Sequence, residues 1–160
     1  PPPPFRRARL AVAAAATAPG QRLLVPLEQR LLYIEAVASD AGRPAGWMAP
    51  LNAYLVALLG RTQRALGISG SVGEIGVYHG LFFVALAHAA AEGERLFACD
   101  TFEASEARHF ERSLERFGVD GRGVWLRAGS SEHLTAGELR SAGVRPVRLL
   151  SIDGSHTAAA

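Results

Sequence analysis

Four short stretches of the chain bring together residue types that could do chemistry. In the first, Gly73-Glu74-Ile75-Gly76-Val77-Tyr78-His79-Gly80, an acid and two glycines stand at E-x-G-x-x-x-G spacing. Gly76 lets the backbone turn sharply and approach a ligand with no Cβ in the way, and Gly80 permits close packing of a helix start against a strand. Glu74 could accept hydrogen bonds from an ammonium group or order the loop. The spacing differs from the G-x-G-x-x-G that seats a pyrophosphate on a helix N-terminus, where a carboxylate would repel the phosphates. An ordinary strand-to-helix turn would carry the same residues.

The second stretch, Leu96-Phe97-Ala98-Cys99-Asp100, is an apolar run ending in an acid 26 positions after Glu74. A carboxylate there can accept both hydrogen bonds of a ribose diol, or it can cap the turn that follows. The third, Ala128-Gly129-Ser130-Ser131, offers backbone and hydroxyl donors to the edge of a base, and Ser131 also suits a helix N-cap. The fourth, Leu149 to His156, ends an apolar run in Asp153-Gly154-Ser155-His156. An Asp and a His three residues apart could converge on a ligand, a divalent ion or a proton in transfer; a capped helix start with a surface His is the plainer reading.

These stretches need elements to hold them. Apolar residues recur at helical spacing from Pro26 to Ala41 and again from about Ala49 to Leu66, with Gly42-Arg43-Pro44 and Gly67 as stops. Residues 1–67 are therefore expected to form a helical lead-in. After Gly70 short apolar runs alternate with helical patterns, which predicts parallel strands joined by right-handed crossovers. Strands are expected at Ser71 to Ile75, Arg95 to Cys99, Val124 to Arg127 and Val147 to Ile152. Helices are expected at His79 to Ala91, about Ser105 to Phe117 and Glu132 to Ala142. The fold class is α/β, a Rossmann-like doubly wound parallel sheet of order 3-2-1-4, whose ligands bind beyond the carboxyl ends of the strands.

Composition narrows the function. With 160 residues and 49% hydrophobic content, the chain can bury one core. A formal charge of +2, carried by arginines scattered along the chain with no lysine, leaves no nucleic-acid or membrane footprint. A small-molecule substrate and a cytoplasmic location fit better, and a homo-oligomer is compatible with both. The lone Cys99, in an apolar run, reads as a buried structural thiol. Arg6, Arg7 and Arg9 before an alanine-rich stretch imitate a secretion signal too weakly to count as one. The opening Pro1 to Pro4 and the closing His156-Thr157-Ala158-Ala159-Ala160 suggest a truncated chain.

With the four stretches in this order, residues 71–160 resemble class I S-adenosylmethionine-dependent methyltransferases, in particular the small-molecule O-methyltransferases related to macrocin- and cephamycin-type enzymes. Glu74 to Gly80 looks like the family's first motif, Asp100 like its ribose-binding acid, and Ile152-Asp153-Gly154-Ser155-His156 like its Ile-Asp-Gly-x-His signature. The resemblance implies that Glu74, Gly76, Tyr78 and Gly80 hold the methionine part of the cofactor, Asp100 the ribose, and Gly129 with Ser130 the adenine surroundings. It makes Asp153 and His156 candidates for removing the acceptor's proton, with Asp153 also a candidate ligand for a divalent cation such as magnesium. Leu81-Phe82-Phe83 departs from the polar residue expected near the helix start, and the later strands of the family's sheet are missing. Residues 68–160 thus read as a partial methyltransferase domain with little or no turnover alone. A nicotinamide-dependent oxidoreductase, disfavoured by the glycine spacing, and a non-catalytic binding protein are the competing readings. Trp47, Met48 and Tyr54 could line an acceptor pocket, although aromatics at helical spacing belong more often to the core.

Overall fold

The computed structural model describes residues 22–39 and 42–154. Two helices lead in, α1 (Leu27–Ser39) and α2 (Pro50–Ala65). Pro50 opens α2, where its missing N–H costs nothing, and Gly67 closes it at φ +72° while the Ile68 N–H donates back to the Gln63 carbonyl. Then follow β1 (Ser71–Ile75), α3 (Leu81–Ala89), β2 (Leu96–Asp100), α4 (Ala104–Arg116), β3 (Val124–Ala128), α5 (Ala136–Ser141) and β4 (Val147–Ile152). The four strands are all parallel in the order β3-β2-β1-β4, as the sequence predicts. Because β1, β2 and β3 step one way across the sheet and β4 returns beyond β1, right-handed crossovers put α3 and α4 on one face and α5 on the other.

One hydrophobic cluster joins α1, α2, α3 and α4 to the inward residues Val72, Leu96, Ala98 and Val124, so the lead-in helices share the core of the sheet. The helix α3 is apolar nearly all round and buried from Phe83 to Ala89. At Gly60 the backbone of α2 comes so near that a Cβ would lie 2.9 Å from that of Ala89. On α4, Phe110 and Leu114 share the buried face, and Phe117 follows it into the core.

Two expected helices differ. The one expected from His79 begins at Leu81, because Tyr78 and Gly80 both take positive φ (51° and 82°) and hold the preceding residues in a turn. The one expected over Glu132 to Ala142 is split into a 3-10 turn at Ser131–His133 and the short α5. Thr135 restarts it, its hydroxyl accepting from the Glu138 N–H while the Glu138 carboxylate accepts from the Thr135 N–H. Ser130, not Ser131, caps the 3-10 turn, accepting from the Glu132 N–H at 3.3 Å. The end of the first expected helix at residues 40–41, the signal-like stretch and His156 lie outside the described residues.

Candidate functional site

At the carboxyl ends of the strands a cleft of about 620 Å³ opens between the loops. Its floor is the run Glu74 to Tyr78, its sides are Asp100 with Thr101, Gly129 to Glu132, and Asp153 with Gly154, and its near wall is Ala45 to Trp47 from the lead-in. The sequence-predicted residues Glu74, Gly76, Tyr78, Asp100, Gly129, Ser130 and Asp153 all line it. Gly80 does not. It faces away, where a Cβ would meet the Phe110 ring at 2.6 Å, so the packing it permits is against α4 and not against a strand. Phe82 lines the cleft where a polar residue was expected.

Glu74 is the deepest of these groups, 2% exposed, with Oε1 accepting from the Ser151 hydroxyl at 3.1 Å. Its Oε2 is buried with no partner among the described residues. Burial lifts the carboxyl from 4.5 to about 8, the Ser151 hydrogen bond opposes this, and the nearby Asp153 and Asp100 carboxylates add to it. An unpaired buried oxygen costs about 1–3 kcal/mol, so the site favours any donor that reaches it.

Asp100 is heavily engaged by its own chain. Oδ2 accepts from the Val77 and Tyr78 N–H groups at 2.5 and 2.7 Å, and Oδ1 from the Thr101 hydroxyl and Phe102 N–H, both at 3.2 Å. The carboxylate therefore ties the glycine turn after β1 to the end of β2, and the capping reading holds. Gly76, at φ +83°, is needed for a different close approach than the one expected: a Cβ there would lie 2.0 Å from the Asp153 carbonyl oxygen. The Asp153 N–H donates to the Ile75 carbonyl at 2.7 Å, so the ends of β1 and β4 are locked side by side. Gly129 is bound to the Asp100 carbonyl through its N–H at 2.8 Å.

The lead-in contributes what its own sequence barely signals. Trp47 is 93% exposed and stands at the cleft mouth, its ring stacked 6.2 Å from that of Tyr78. Met48 is buried in the core and Tyr54 lies on α2, away from the cleft lining. Cys99 is buried, as expected, although its residue touches the cleft. Among the described residues no group of three or more His, Cys, Asp and Glu could hold a metal ion, so the expected role of Asp153 as a metal ligand has no cluster around it there. No described helix is long and apolar enough to cross a membrane.

An open parallel sheet of order 3-2-1-4, with a glycine turn and three carboxylates converging at its carboxyl edge, is the Rossmann-like arrangement of class I methyltransferases. The model of a methyltransferase domain matches residues 74–160, more than half of the sequence, and the chain belongs to that methyltransferase family. A Klebsiella pneumoniae protein assigned as an O-methyltransferase superimposes with a TM-score of 0.54 at 26% identity, over 78% of this chain and 52% of that one. The cofactor-bound Rv0187 from MTB has the same fold, with a TM-score of 0.53 at 23% identity over 96% of this chain and 62% of that one. The chain thus spans between half and two thirds of the length of these solved structures. Curated proteins give no match.

Proposed function

We propose that the cleft binds S-adenosylmethionine and that the protein of which this chain forms the cofactor-holding part transfers its methyl group to a hydroxyl of a small molecule. The observation that carries the reading is the Glu74 carboxylate: buried at the floor of the cleft beside a glycine turn, with Oε2 unpartnered among the described residues. It suits the ammonium of an amino acid and would oppose a pyrophosphate, which disfavours a nicotinamide cofactor. When bound, S-adenosylmethionine supplies an electrophilic methyl group on a sulfonium. Glu74 would accept from the ammonium, and Asp100 would accept from the ribose hydroxyls, its two longest contacts at present being those of the Thr101 hydroxyl and Phe102 N–H with Oδ1 at 3.2 Å. Gly129 and Ser130, which line the cleft, would border the adenine, and Phe82 gives the cleft an apolar edge at the start of α3. Asp153, exposed at the end of β4, takes the acceptor's proton, with His156 as the second candidate. Holding donor and acceptor in line is the larger part of the acceleration.

The titration that tests this uses the 160-residue chain with S-adenosylmethionine and, separately, NADH. Glu74→Gln should weaken S-adenosylmethionine about tenfold to a hundredfold, the worth of a hydrogen bond to a charged group. Asp100→Ala should weaken it as well, because the glycine turn loses its anchor. Tight NADH binding, or S-adenosylmethionine binding that neither variant disturbs, would overturn the assignment. A divalent cation at Asp153 is the finer part of the reading; acceptor methylation by the whole protein, compared with and without magnesium, decides between metal-assisted and simple base catalysis.

A further inference from the structure

A second recess, of about 340 Å³, lies on the other side of the loop that walls the cleft. The loop from Gly42 to Ala45 forms one side and α4 the other, with His79 at the end nearer the cleft. Among the described residues its ionisable lining is entirely basic, Arg43, Arg112, Arg116, His79 and His109 with no acid, and Ser113 is its one uncharged polar residue. Each has a definite setting. Arg43 donates to the Met48 carbonyl at 2.8 Å and stiffens the wall. The guanidinium of Arg116 lies 5.3 Å over the Phe117 ring and against Gly42, where a Cβ would come within 2.1 Å of its Nη2 and push it aside. Arg112 stands one turn before Arg116 on the same face. The His79 and His109 rings stack at 4.4 Å. Glu106 is an acid that acts on His79, and its Oε2 accepts from the Glu103 N–H at 2.9 Å in the capping box of α4.

Guanidinium forks on adjacent turns match the paired oxygens of a phosphate or carboxylate, and a volume of this size admits more than a bare ion. We infer that this recess is an oxyanion site, binding a phosphate or carboxylate group between Arg112 and Arg116 with the stacked His79 and His109 at its inner end. Burial and the neighbouring His109 lower the pKa of His79, so at neutral pH it offers a neutral N–H donor rather than a charge. The site stands apart from the methyl-transfer reading, since none of Arg43, Arg112 and Arg116 lines the cleft. Its loop and His79, stacked 3.9 Å from the cleft-lining Tyr78, bring the anion beside the mouth of the cofactor cleft.

The experiment is a calorimetric titration of the whole chain with inorganic phosphate and with phenyl phosphate, chloride keeping the ionic strength constant. Saturable phosphate binding is expected, weakened at least about tenfold by Arg112→Gln and by Arg116→Gln. Arg122→Gln, an exposed arginine paired with Asp120 outside the recess, should leave it unchanged. Arg112 and Arg116 are exposed, so circular dichroism should report intact folds, and S-adenosylmethionine affinity in the same variants separates this site from the cleft. Phenyl phosphate binding much more tightly than phosphate would identify an oxyanion carried on a larger molecule, and equal affinities a free ion. Absence of binding, or binding that survives both arginine substitutions, overturns the site.

Discussion

Glu74 is the cleft residue whose chemistry the surroundings change most. Folded, its carboxyl holds a proton up to about pH 8, against 4.5 in the unfolded chain, so between those values the folded state binds more protons than the unfolded one. Stability contributed by the protonated carboxyl is therefore full below 4.5 and is lost as pH rises toward 8. Urea midpoints across that window should fall for the wild-type chain, and Glu74→Gln should flatten the fall. A cationic ligand reverses the preference for the proton. Affinity for S-adenosylmethionine should climb with pH toward about 8 as the Glu74 carboxyl ionises, and fall again once the ligand's own α-amino group loses its proton. Gly76→Ala belongs with Glu74. It would drive a Cβ into the Asp153 carbonyl at a left-handed φ, and a loss of about 1–3 kcal/mol in thermal unfolding, together with loss of cofactor binding, is expected.

The start of α3 carries the cleft's apolar edge, and it is held from behind by α1. The Tyr33 hydroxyl donates to the Leu81 carbonyl at 2.5 Å, and its ring meets those of His88 and Phe117 edge-on at 5.2 and 5.3 Å. Burial keeps His88 down at about 4 although its hydrogen bond to the Phe117 carbonyl pulls the other way, so at neutral pH it is an uncharged donor inside the core. Tyr33→Phe removes one hydroxyl and leaves a buried carbonyl short of a donor. It should cost about 1–3 kcal/mol in chemical denaturation and loosen cofactor binding without touching a cleft residue. Unchanged denaturation would mean that water replaces the hydroxyl and that α1 does not support the site.

Below the sheet, at the amino ends of the strands, one ion pair ties distant segments together. Arg148 of β4 donates to both oxygens of Glu94 ahead of β2, and also to the Gln63 side chain of α2 and to the Ala89 carbonyl of α3. Both side chains are buried, at 1% and 7% exposure. Burial, the largest single influence, acts to raise the Glu94 carboxyl, but the hydrogen bonds and charge of Arg148 together with the Ala91 and Gly70 N–H groups outweigh it and hold it below its ordinary value. Its contribution to stability is thus present above the unfolded carboxylate pKa and lost as pH falls through the lower folded one. Glu94→Gln strands a buried guanidinium and should cost about 3–5 kcal/mol in a denaturant melt at neutral pH. By contrast β4 buries little of its outer side: Leu150 and Ile152 are 43% and 72% exposed.

Much of this molecule is legible along the chain because it is local. Apolar runs of strand length between Gly, Pro and charged residues mark β1 and β4 to the residue, and their alternation with helical patterns implies a parallel sheet whose active edge carries Glu74, Asp100, Gly129 and Asp153. The two helix boundaries that differ turn on single hydrogen bonds or positive φ angles, at Gly80 and Thr135, which periodicity does not register. Contacts made across the fold carry no local signal at all. Nothing around Asp100 announces that its carboxylate will hold the N–H groups of Val77 and Tyr78, nor anything around Trp47 that it will stack there. The recess of Arg112, Arg116 and His79 likewise exists only because Gly42 is brought against α4. Pattern and turn chemistry dictate which elements form and which polar residues reach the edge of the sheet; which of them are spent on the chain itself, and which face a ligand, depends on packing between segments far apart in sequence.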